Sequence, residues 1–233
     1  AVSSSNCLLR EVANLAMAGE TGVLQVETRD RFNNTNTAVS SVVVNVSLVG
    51  GDGTNIASAS TALGNGRYRV SFTATASGTY AVAAKVGGGG VDHGGLTSFV
   101  VAAGAASWKM SNTSLAVKCP IAATSTCIAG GNVTVFVDVF DEFGNGRDAS
   151  SAGNNDGFSV QVHKMGTSEV DFLALVPGSG NRYSATFAPT DAASYTVKTA
   201  IGLKQVDKSP IVGELVVVPG PADPITTSVS GAG

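Results

Sequence analysis

Hydrophobic and polar residues alternate along the chain in short runs that are rich in valine and other β-branched residues. Three runs show the pattern most clearly, and they cover residues 42–48 (VVVNVSL), 133–139 (VTVFVDV) and 158–162 (FSVQV). Clusters of Gly, Asn, Asp and Ser separate such runs at the spacing of roughly 8 to 12 residues that is typical of a β-sandwich. Helical periodicity is confined to residues 8–17, which could form a turn or two of helix. The pattern predicts an all-β chain of antiparallel sheets.

The period of two assigns each strand residue to the inner or the outer face of its sheet. Val44, Val46 and Leu48 are predicted to face the core, and Asn45 and Ser47 to face solvent. The same rule predicts an inner row on the second valine-rich run, made of Val133, Val135, Val137 and Val139.

Several short phrases occur twice in the chain, in the same order. DRFNN at residues 30–34 corresponds to DEFGN at residues 141–145, and the sequences around two pairs of tyrosines also correspond, Tyr68 with Tyr183 and Tyr80 with Tyr195. The separation between copies grows from 111 residues at the aspartates to 115 at the tyrosines, as small loop insertions would produce. One module is therefore repeated, and the tyrosines are predicted to occupy paired core positions.

The repeat predicts a first module at residues 1–103 and a second at residues 104–219. Each module is close to the commonest length of a domain, so each can close its own core. Residues 220–233 resemble the opening of a module and are expected to form the first strand of a further one. We therefore expect the chain to be a piece of a longer array.

The repeated DEFGN phrase has two interpretations, a calcium loop and a turn. An EF-hand loop would need a ligand where Phe143 stands and a closing Glu where Ala152 stands, so the metal interpretation is weak. The turn interpretation has Phe143 filling the core, Gly144 and Asn145 turning the chain, and the aspartate capping the turn. We favour the turn.

The order of these phrases resembles that of filamin-type immunoglobulin-like repeats. The resemblance is carried by AGE, a V-x-V strand, D-x-F-G-N, G-x-G-x-Y, G-x-Y-x-V and VPGPADP, and it covers both modules nearly end to end. The first module departs from the pattern at Asn33, where the family has glycine, and in its linker AAGAAS. The resemblance implies a tandem, rod-like array of seven-stranded sandwiches.

The resemblance also implies no catalytic residues and no cofactor, but it implies a partner site. In filamin-type repeats the edge formed by the third and fourth strands can accept an added strand from a partner protein. The matching segments here are residues 42–49 with 55–62 and residues 158–164 with 171–176. The candidate partner-edge residues are Val42, Val44, Val46, Phe158, Val160 and Val162.

The chain contains three cysteines, Cys7, Cys119 and Cys127. The stretch CPIAATSTC brings Cys119 and Cys127 close enough in sequence to close a short disulfide loop, which would persist only in an oxidising compartment. Cys7 is expected to share the structural position of Cys119. It is then left unpaired, which indicates either a bond to a cysteine beyond this chain or a buried free thiol.

N-x-[ST] triplets are candidate N-glycosylation sites, and they begin at Asn33, Asn45, Asn112 and Asn132. Chance produces several such triplets in a chain of this composition. Asn45 and Asn132 are nevertheless predicted to lie on the outward phase of their strands, where a glycan could be accommodated. Together with the cysteine pair, they favour an extracellular or ciliary-surface setting over the cytosol.

Composition and charge exclude several functions. Charged residues make up 13% of the chain, and the net charge of −3 leaves no basic footprint for nucleic acid. No apolar run reaches the length of a membrane span. His93 lies in a glycine-rich stretch that lacks the lysine of a phosphate loop, and His163 has no nucleophile at a recognised spacing. We predict that the protein is not an enzyme.

Two function classes remain open. The first is a non-catalytic extracellular structural or adhesion protein, whose partners are neighbouring repeats, a second copy or another surface protein. Similar repeats occur in gamete-adhesion proteins of green algae and plants, so a gamete or ciliary contact fits this class. The alternative is a cytosolic, actin-associated cross-linker that binds partner peptides by strand addition. A carbohydrate-binding module is disfavoured, because Trp108 is the only tryptophan and lies at the boundary between the modules.

Two aromatic residues are candidates for contacts between the modules. Trp108 falls just after a linker that is too short to behave as free coil, so we expect it to pack into the seam between modules or onto the face beside it. Phe136 lies on the outward phase of its strand and is a second candidate. The alternative is that Trp108 covers the end of the second sandwich.

Overall fold

The computed structural model describes residues 2–13, 17–37, 43–50, 53–91, 96–118, 126–149, 157–206, 209 and 211–220. The chain divides into two compact units, a first unit from Ala1 to Gly104 and a second unit from Ala105 to Gly233. The described residues of both units form antiparallel sheets, with a short parallel strand pairing in the second unit and a single parallel bridge, Met17 with Ala102, in the first. The predicted all-β fold is confirmed.

The first unit consists of two facing sheets. Its strands are β1 (Leu8–Ala13), β2 (Thr21–Glu27), β3 (Val44–Gly50), β4 (Asn55–Ile56), β5 (Ser58–Gly64), β6 (Arg67–Thr73), β7 (Gly78–Val86), β8 (Gly89–Gly90) and β9 (Ser98–Val101). One sheet has the order β1-β2-β6-β5, and in the other β4 pairs β3, β3 pairs β7, and β7 also pairs β8 and β9. A 3₁₀ turn at Ser4–Asn6 precedes β1.

The second unit has the same strand order with small additions. Its strands are β10 (Asn112–Lys118), β11 (Thr126–Ile128), β12 (Asn132–Asp138), β13 (Phe158–Lys164), β14 (Val170–Leu173), β15 (Val176–Pro177), β16 (Arg182–Phe187), β17 (Ser194–Ile201), β18 (Lys204–Gln205) and β19 (Ile211–Val218). One sheet has the order β10-β12-β16-β15, which matches β1-β2-β6-β5 of the first unit. The other has the order β11-β19-β17-β13-β14, with β18 on β17.

The cores are built from the inner rows that the alternation predicts. Val44, Val46 and Leu48 are buried on β3, whereas Asn45 and Ser47 between them are exposed. In the second unit the inner row is fully buried, and it consists of Val133, Val135, Val137 and Val139. Each unit therefore buries its own apolar face, as the repeat requires.

The four tyrosines are buried at equivalent places, as their sequence spacing predicts, since each exposes 6% or less of its surface. Two of them also tie the start of a strand to the preceding corner. The hydroxyl of Tyr80 donates to the carbonyl of Ala76 at 2.8 Å, and that of Tyr195 donates to Asp191 at 3.0 Å. This arrangement is a tyrosine corner, a feature of immunoglobulin-like sandwiches.

The predicted helical turn at residues 8–17 is wrong over the part that the structure describes. Leu8–Ala13 is the strand β1, which pairs with β2. Leu9 is buried in the core opposite Val26. Pairing and core burial decide the conformation here, because a segment this short has little helical stability of its own.

Candidate interaction surfaces

The two aspartate loops are closely matched turns. Asp30 Oδ1 accepts hydrogen bonds from the backbone N–H groups of Phe32 and Asn34 at 2.8 and 2.9 Å. Asp141 Oδ1 accepts from Phe143 and Asn145, both at 2.9 Å. The carboxylates thus hold the turn, as predicted. Within the described ranges, no group of three or more His, Cys, Asp or Glu side chains could hold a metal ion.

The phenylalanines of these loops do not fill the core, so that part of the turn interpretation is wrong. Phe143 is 40% exposed and Phe32 is 69% exposed. The guanidinium carbon of Arg31 lies 4.6 Å from the centre of the Phe32 ring. The alternation rule holds for strands, and these residues lie in a turn that points its side chains outward.

Cys7 and Ser111 occupy the same position in the two units. The Cys7 thiol donates to Ser3 O at 3.2 Å and accepts from the N–H of Arg29 at 3.5 Å. The Ser111 hydroxyl donates to the carbonyl of Ser107 at 2.7 Å and accepts from the N–H of Phe140 at 3.2 Å. The expected equivalence of Cys7 with Cys119 is therefore wrong.

Cys7 is fully buried and forms no disulfide within the chain, and a bond to a cysteine beyond this chain stays a prediction. Burial raises the pKa of this thiol, which the N–H of Arg29 and the Arg29 charge oppose. A disulfide to a cysteine elsewhere would require this side chain to leave the core. Cys127 is buried on β11, but Cys119 lies outside the described residues, so their disulfide remains a prediction.

The predicted glycosylation sites differ in exposure. Asn33 in the first aspartate loop, Asn45 on β3 and Asn132 at the start of β12 are exposed, whereas Asn112 at the start of β10 is half-buried. Asn33 Oδ1 also accepts a hydrogen bond from Arg29 Nη1 at 2.9 Å. Asn45 and Asn132 lie on the solvent side of their strands, as the alternation predicts.

The candidate partner edge of the first unit is β3, whose Val44 and Val46 side chains are buried. β4 pairs with this strand only at Leu48 and Val49. The carbonyl of Val46 accepts a hydrogen bond from Ser58 Oγ at 2.8 Å. Because backbone groups of alternate residues point to the same side of a strand, those of Val44 face this edge too. Val42 lies outside the described residues.

The candidate edge of the second unit, β13, has neighbours on both sides. Val160 and Val162 pair with Leu173 and Asp171 of β14, and the opposite side of β13 pairs with β17. Phe158 packs against the core with its ring centre 5.0 Å from that of Tyr183. The two units thus present different edges at the same place in the fold.

Phe136 lies on the outer face of β12, as its phase predicts. Its ring lies 5.1 Å from the guanidinium carbon of Arg182. Arg182 also forms a two-point ion pair with Asp138, with nitrogen–oxygen distances of 2.6 and 2.8 Å. The Asp138 carboxylate raises the pKa of Arg182. Phe136, Arg182 and Asp138 therefore contact one another in a small cluster on the outer face of the sheet, with Arg182 at its centre.

Trp108 is half-buried near the start of the second unit. The ammonium nitrogens of Lys109 and Lys204 lie 5.4 and 5.5 Å from the centre of its ring. Lys204 belongs to β18, so part of the ring contacts its own unit. Whether Trp108 also contacts the first unit stays a prediction.

A polar cleft of about 220 Å³ in the second unit lies beside Lys164, Asp191 and Tyr195. Lys164 Nζ lies 2.6 Å from Asp191 Oδ2 and 3.6 Å from Glu169 Oε2. The hydrogen bond to Asp191 raises the pKa of Lys164, so the amine stays protonated and is a poor nucleophile. His163 Nε2 lies within hydrogen-bond distance, 3.3 Å, of Gln161 Oε1. His93 lies outside the described residues.

The strand order, the facing sheets and the tyrosine corners define the class as immunoglobulin-like β-sandwiches. Residues 1–94, which lie in the first unit, match the family model of the filamin/ABP280 repeat. The second unit repeats its strand order. None of the curated proteins shows significant sequence similarity to the chain.

Three solved structures of bacterial proteins are similar to this chain in fold. FdeC, an Escherichia coli adhesin, has a TM-score of 0.60 and 18% identity, with 94% of this chain and 66% of that chain covered. Invasin, a bacterial integrin-binding protein, has a TM-score of 0.61 and 16% identity, covering 94% and 41%. InvD of Yersinia pseudotuberculosis has a TM-score of 0.55 and 18% identity, covering 97% and 62%.

At these identities the likeness establishes the fold alone. The chain spans 41% to 66% of the lengths of the three chains. Within the ranges that the structure describes, no helix combines the length and the apolarity that a membrane crossing requires.

Proposed function

We propose that the chain is a non-catalytic structural or adhesion segment that acts at the outer surface of a cell. The observation that carries the proposal is the tandem of two sandwiches with one strand order, an architecture similar to that of FdeC, invasin and InvD. Gamete or ciliary contact is the particular setting that we propose.

The extracellular setting is supported by cysteines and by candidate glycosylation sites. Cys127 is fully buried on β11 at the end of the CPIAATSTC stretch. Asn45 and Asn132 are exposed on the outer faces of their strands, so a glycan on either would point into solvent. We propose a Cys119–Cys127 disulfide and N-glycans at one or more of Asn33, Asn45, Asn112 and Asn132.

Peptide mapping of the natively isolated protein tests this setting. We expect Cys119 and Cys127 in one disulfide-linked peptide pair, and a mass decrease at glycosylated asparagines on enzymatic deglycosylation. Antibody labelling of intact cells, compared with permeabilised cells, checks exposure at the surface. Two alkylatable thiols at Cys119 and Cys127, with no glycan and no labelling of intact cells, would contradict the proposal.

A second candidate is a cytosolic, actin-associated scaffold that binds peptides by strand addition. It is favoured by the edge of β3, where β4 pairs only with Leu48 and Val49. Amide NMR spectra recorded during titration with short β-strand peptides provide the test. We expect shifts at Val44 and Val46, whereas Val160 and Val162, which lie between two strands, are matched controls. Unchanged amides at Val44 and Val46, or equal shifts at the controls, would count against this function.

A further inference from the structure

Three arginines share the outer face of the first unit's sheet β1-β2-β6-β5. Arg10 on β1 is opposite Gln25 on β2, Gln25 is opposite Arg69 on β6, and Arg69 is opposite Thr61 on β5. Arg67 lies two residues before Arg69, on the same face. Cross-strand neighbours lie on the same face of a sheet, so Arg10, Arg67 and Arg69 form one patch, called here the arginine face.

All three side chains of the arginine face are exposed. Among the described residues none of them forms an ion pair. The nearest acidic neighbour in register is Glu27, opposite Arg67. Glu27 Oε1 already forms an ion pair with Arg29 Nη2 at 2.8 Å and accepts a hydrogen bond from Thr35 Oγ1 at 3.3 Å. The charge of Arg10 also acts on Glu27, whose pKa it helps to lower, but three arginines against one carboxylate leave the patch with a net positive charge for a partner.

The second unit shows that the fold does not need this charge. At the positions of Arg10, Gln25 and Arg69 its sheet carries Ser114, Phe136 and Ser184. Arg182 stands at the position of Arg67, but it is paired with Asp138 and stacked on Phe136. At these matched positions the second unit thus carries one arginine, which is paired, and the first unit carries three arginines without an ion pair, which points to binding by the first.

We propose that the arginine face binds a sulfated polysaccharide. Guanidinium groups bind sulfate and carboxylate oxygens in a two-point geometry. Strand spacing places the backbones of Arg10 and Arg69 about 10 Å apart, and those of Arg67 and Arg69 about 7 Å apart. A patch of this size meets several successive charges of a linear polyanion at once.

The rest of the face favours a hydrated polyanion over a protein. Gln25 supplies an amide group between Arg10 and Arg69, and Thr61 and Thr73 supply hydroxyl groups beside Arg69 and farther along β6. The aromatic side chains of β6, Tyr68 and Phe72, are buried on the other side. Protein hot spots are arginines and aromatic residues packed together in desolvated pockets, whereas the arginines here are exposed and the aromatic residues of β6 are buried on the opposite face. Recognition is therefore by charge and not by stacking on tryptophan. The choice of polysaccharide rests on the extracellular setting proposed above.

Heparin immobilised on a surface is the probe, and the full chain is measured at about 0.15 M salt and at higher salt. The variant R10S/R69S places on this face the residues that the second unit has there. We expect it to bind at least about tenfold more weakly and to lower the slope of log affinity against log salt by about two. R10Q/R69Q is a second variant, in case the first unfolds; equal thermal unfolding of variant and parent checks the fold.

The control K85S/K198S removes the same charge from the other sheet of each unit, on β7 and β17. We expect it to retain heparin affinity within about twofold, since long-range charge is screened at this salt. Equal weakening of both double variants would overturn the assignment to this face. No heparin binding by the parent chain would overturn the site itself.

Two competitors identify the class of partner. Dextran sulfate should displace heparin, whereas polyglutamate and an unsulfated polyuronate should do so at least about tenfold less well. If polyglutamate competes as well as dextran sulfate, the proposed polysaccharide is wrong and the partner is an acidic protein segment. These binding measurements use purified components, so they are independent of the cell-labelling test of location. The chain can fail to bind heparin and still lie at the cell surface, and it can bind heparin and still be found in the cytosol.

Discussion

Asn33 and Gly144 occupy the same left-handed backbone position in the two aspartate loops. Their φ angles are +68° and +85°, and each lies three residues after the capping aspartate. Glycine adopts this conformation without steric cost, and asparagine tolerates it better than other residues with a side chain. The departure of DRFNN from the D-x-F-G-N pattern is therefore a substitution that the turn accepts.

This equivalence predicts how Gly144 responds to substitution. We expect Gly144→Asn to change the unfolding free energy of the second unit by less than about 0.5 kcal/mol, and Gly144→Ala to cost about 1 kcal/mol. An added Cβ would lie 3.5 Å from Met110 Cε, an ordinary contact, so the cost comes from the backbone alone. Chemical denaturation of both variants is the measurement. Equal stability of the two would show that the left-handed conformation is not needed.

The tyrosine corner of the second unit predicts two separable losses. Tyr195→Phe removes only the hydrogen bond to Asp191, so we expect a cost of about 1 kcal/mol. Tyr195→Ala also removes a buried ring and should cost about 3 to 5 kcal/mol. Denaturant titration gives both values. A loss below about 1 kcal/mol for the alanine variant would mean that the ring does not support the core.

The sequence predicts the fold correctly where the burial of a residue follows directly from its type and its position in a strand. Alternation located the inner rows on β3 and β12, and the repeat placed Tyr80 and Tyr195 at equivalent core positions. Both signals arise because burial of apolar side chains imposes a fixed period on a strand.

The features that the sequence misplaced depend on contacts between distant segments. Residue type alone matches Cys7 with Cys119, but the Cys7 thiol accepts a hydrogen bond from the N–H of Arg29 just as the Ser111 hydroxyl accepts one from the N–H of Phe140. Cysteine and serine can both occupy this position because each has a small side chain that donates one hydrogen bond and accepts another. A search for identical residues in the two modules does not detect this equivalence. The arginine face has no signal in the sequence, because Arg10 and Arg69 are brought to either side of Gln25 only by strand pairing.

Asp30 predicts an acid-sensitive first unit. The pKa of its carboxyl is lowered, chiefly by the hydrogen bond from the N–H of Asn34. Its stabilising contribution is therefore present above the unfolded pKa of about 3.9 and is lost as pH falls through the folded pKa. We expect Asp30→Asn to unfold at a lower temperature than the parent near neutral pH, with a difference that shrinks below about pH 4. Parallel melting curves at every pH would contradict this.

Cys7 predicts a thiol that is unreactive and replaceable by serine. Because burial raises its pKa, we expect alkylation of Cys7 only after denaturation. Cys7→Ser should stay within about 1 kcal/mol of the parent, whereas Cys7→Val leaves the Arg29 N–H without an acceptor and should cost about 1 to 3 kcal/mol. Mass spectrometry and denaturation provide the readouts. Rapid labelling of Cys7 in the native protein would show that its burial is transient.

Replacement of Trp108 tests whether this residue supports only the second unit or also the spacing between the two units. Its ring contacts Lys109 and Lys204 of its own unit and is half-buried, and such exposed cation–π contacts contribute about 0.5 to 1 kcal/mol each. We therefore expect Trp108→Ala to lower the stability of the second unit modestly and, if the ring also packs in the seam between modules, to broaden the interdomain distances measured by solution scattering. Lys204→Ala, which removes only the local contact, is the matched control and should leave the scattering unchanged. A large loss of stability with unchanged dimensions would assign Trp108 to covering the end of the second sandwich.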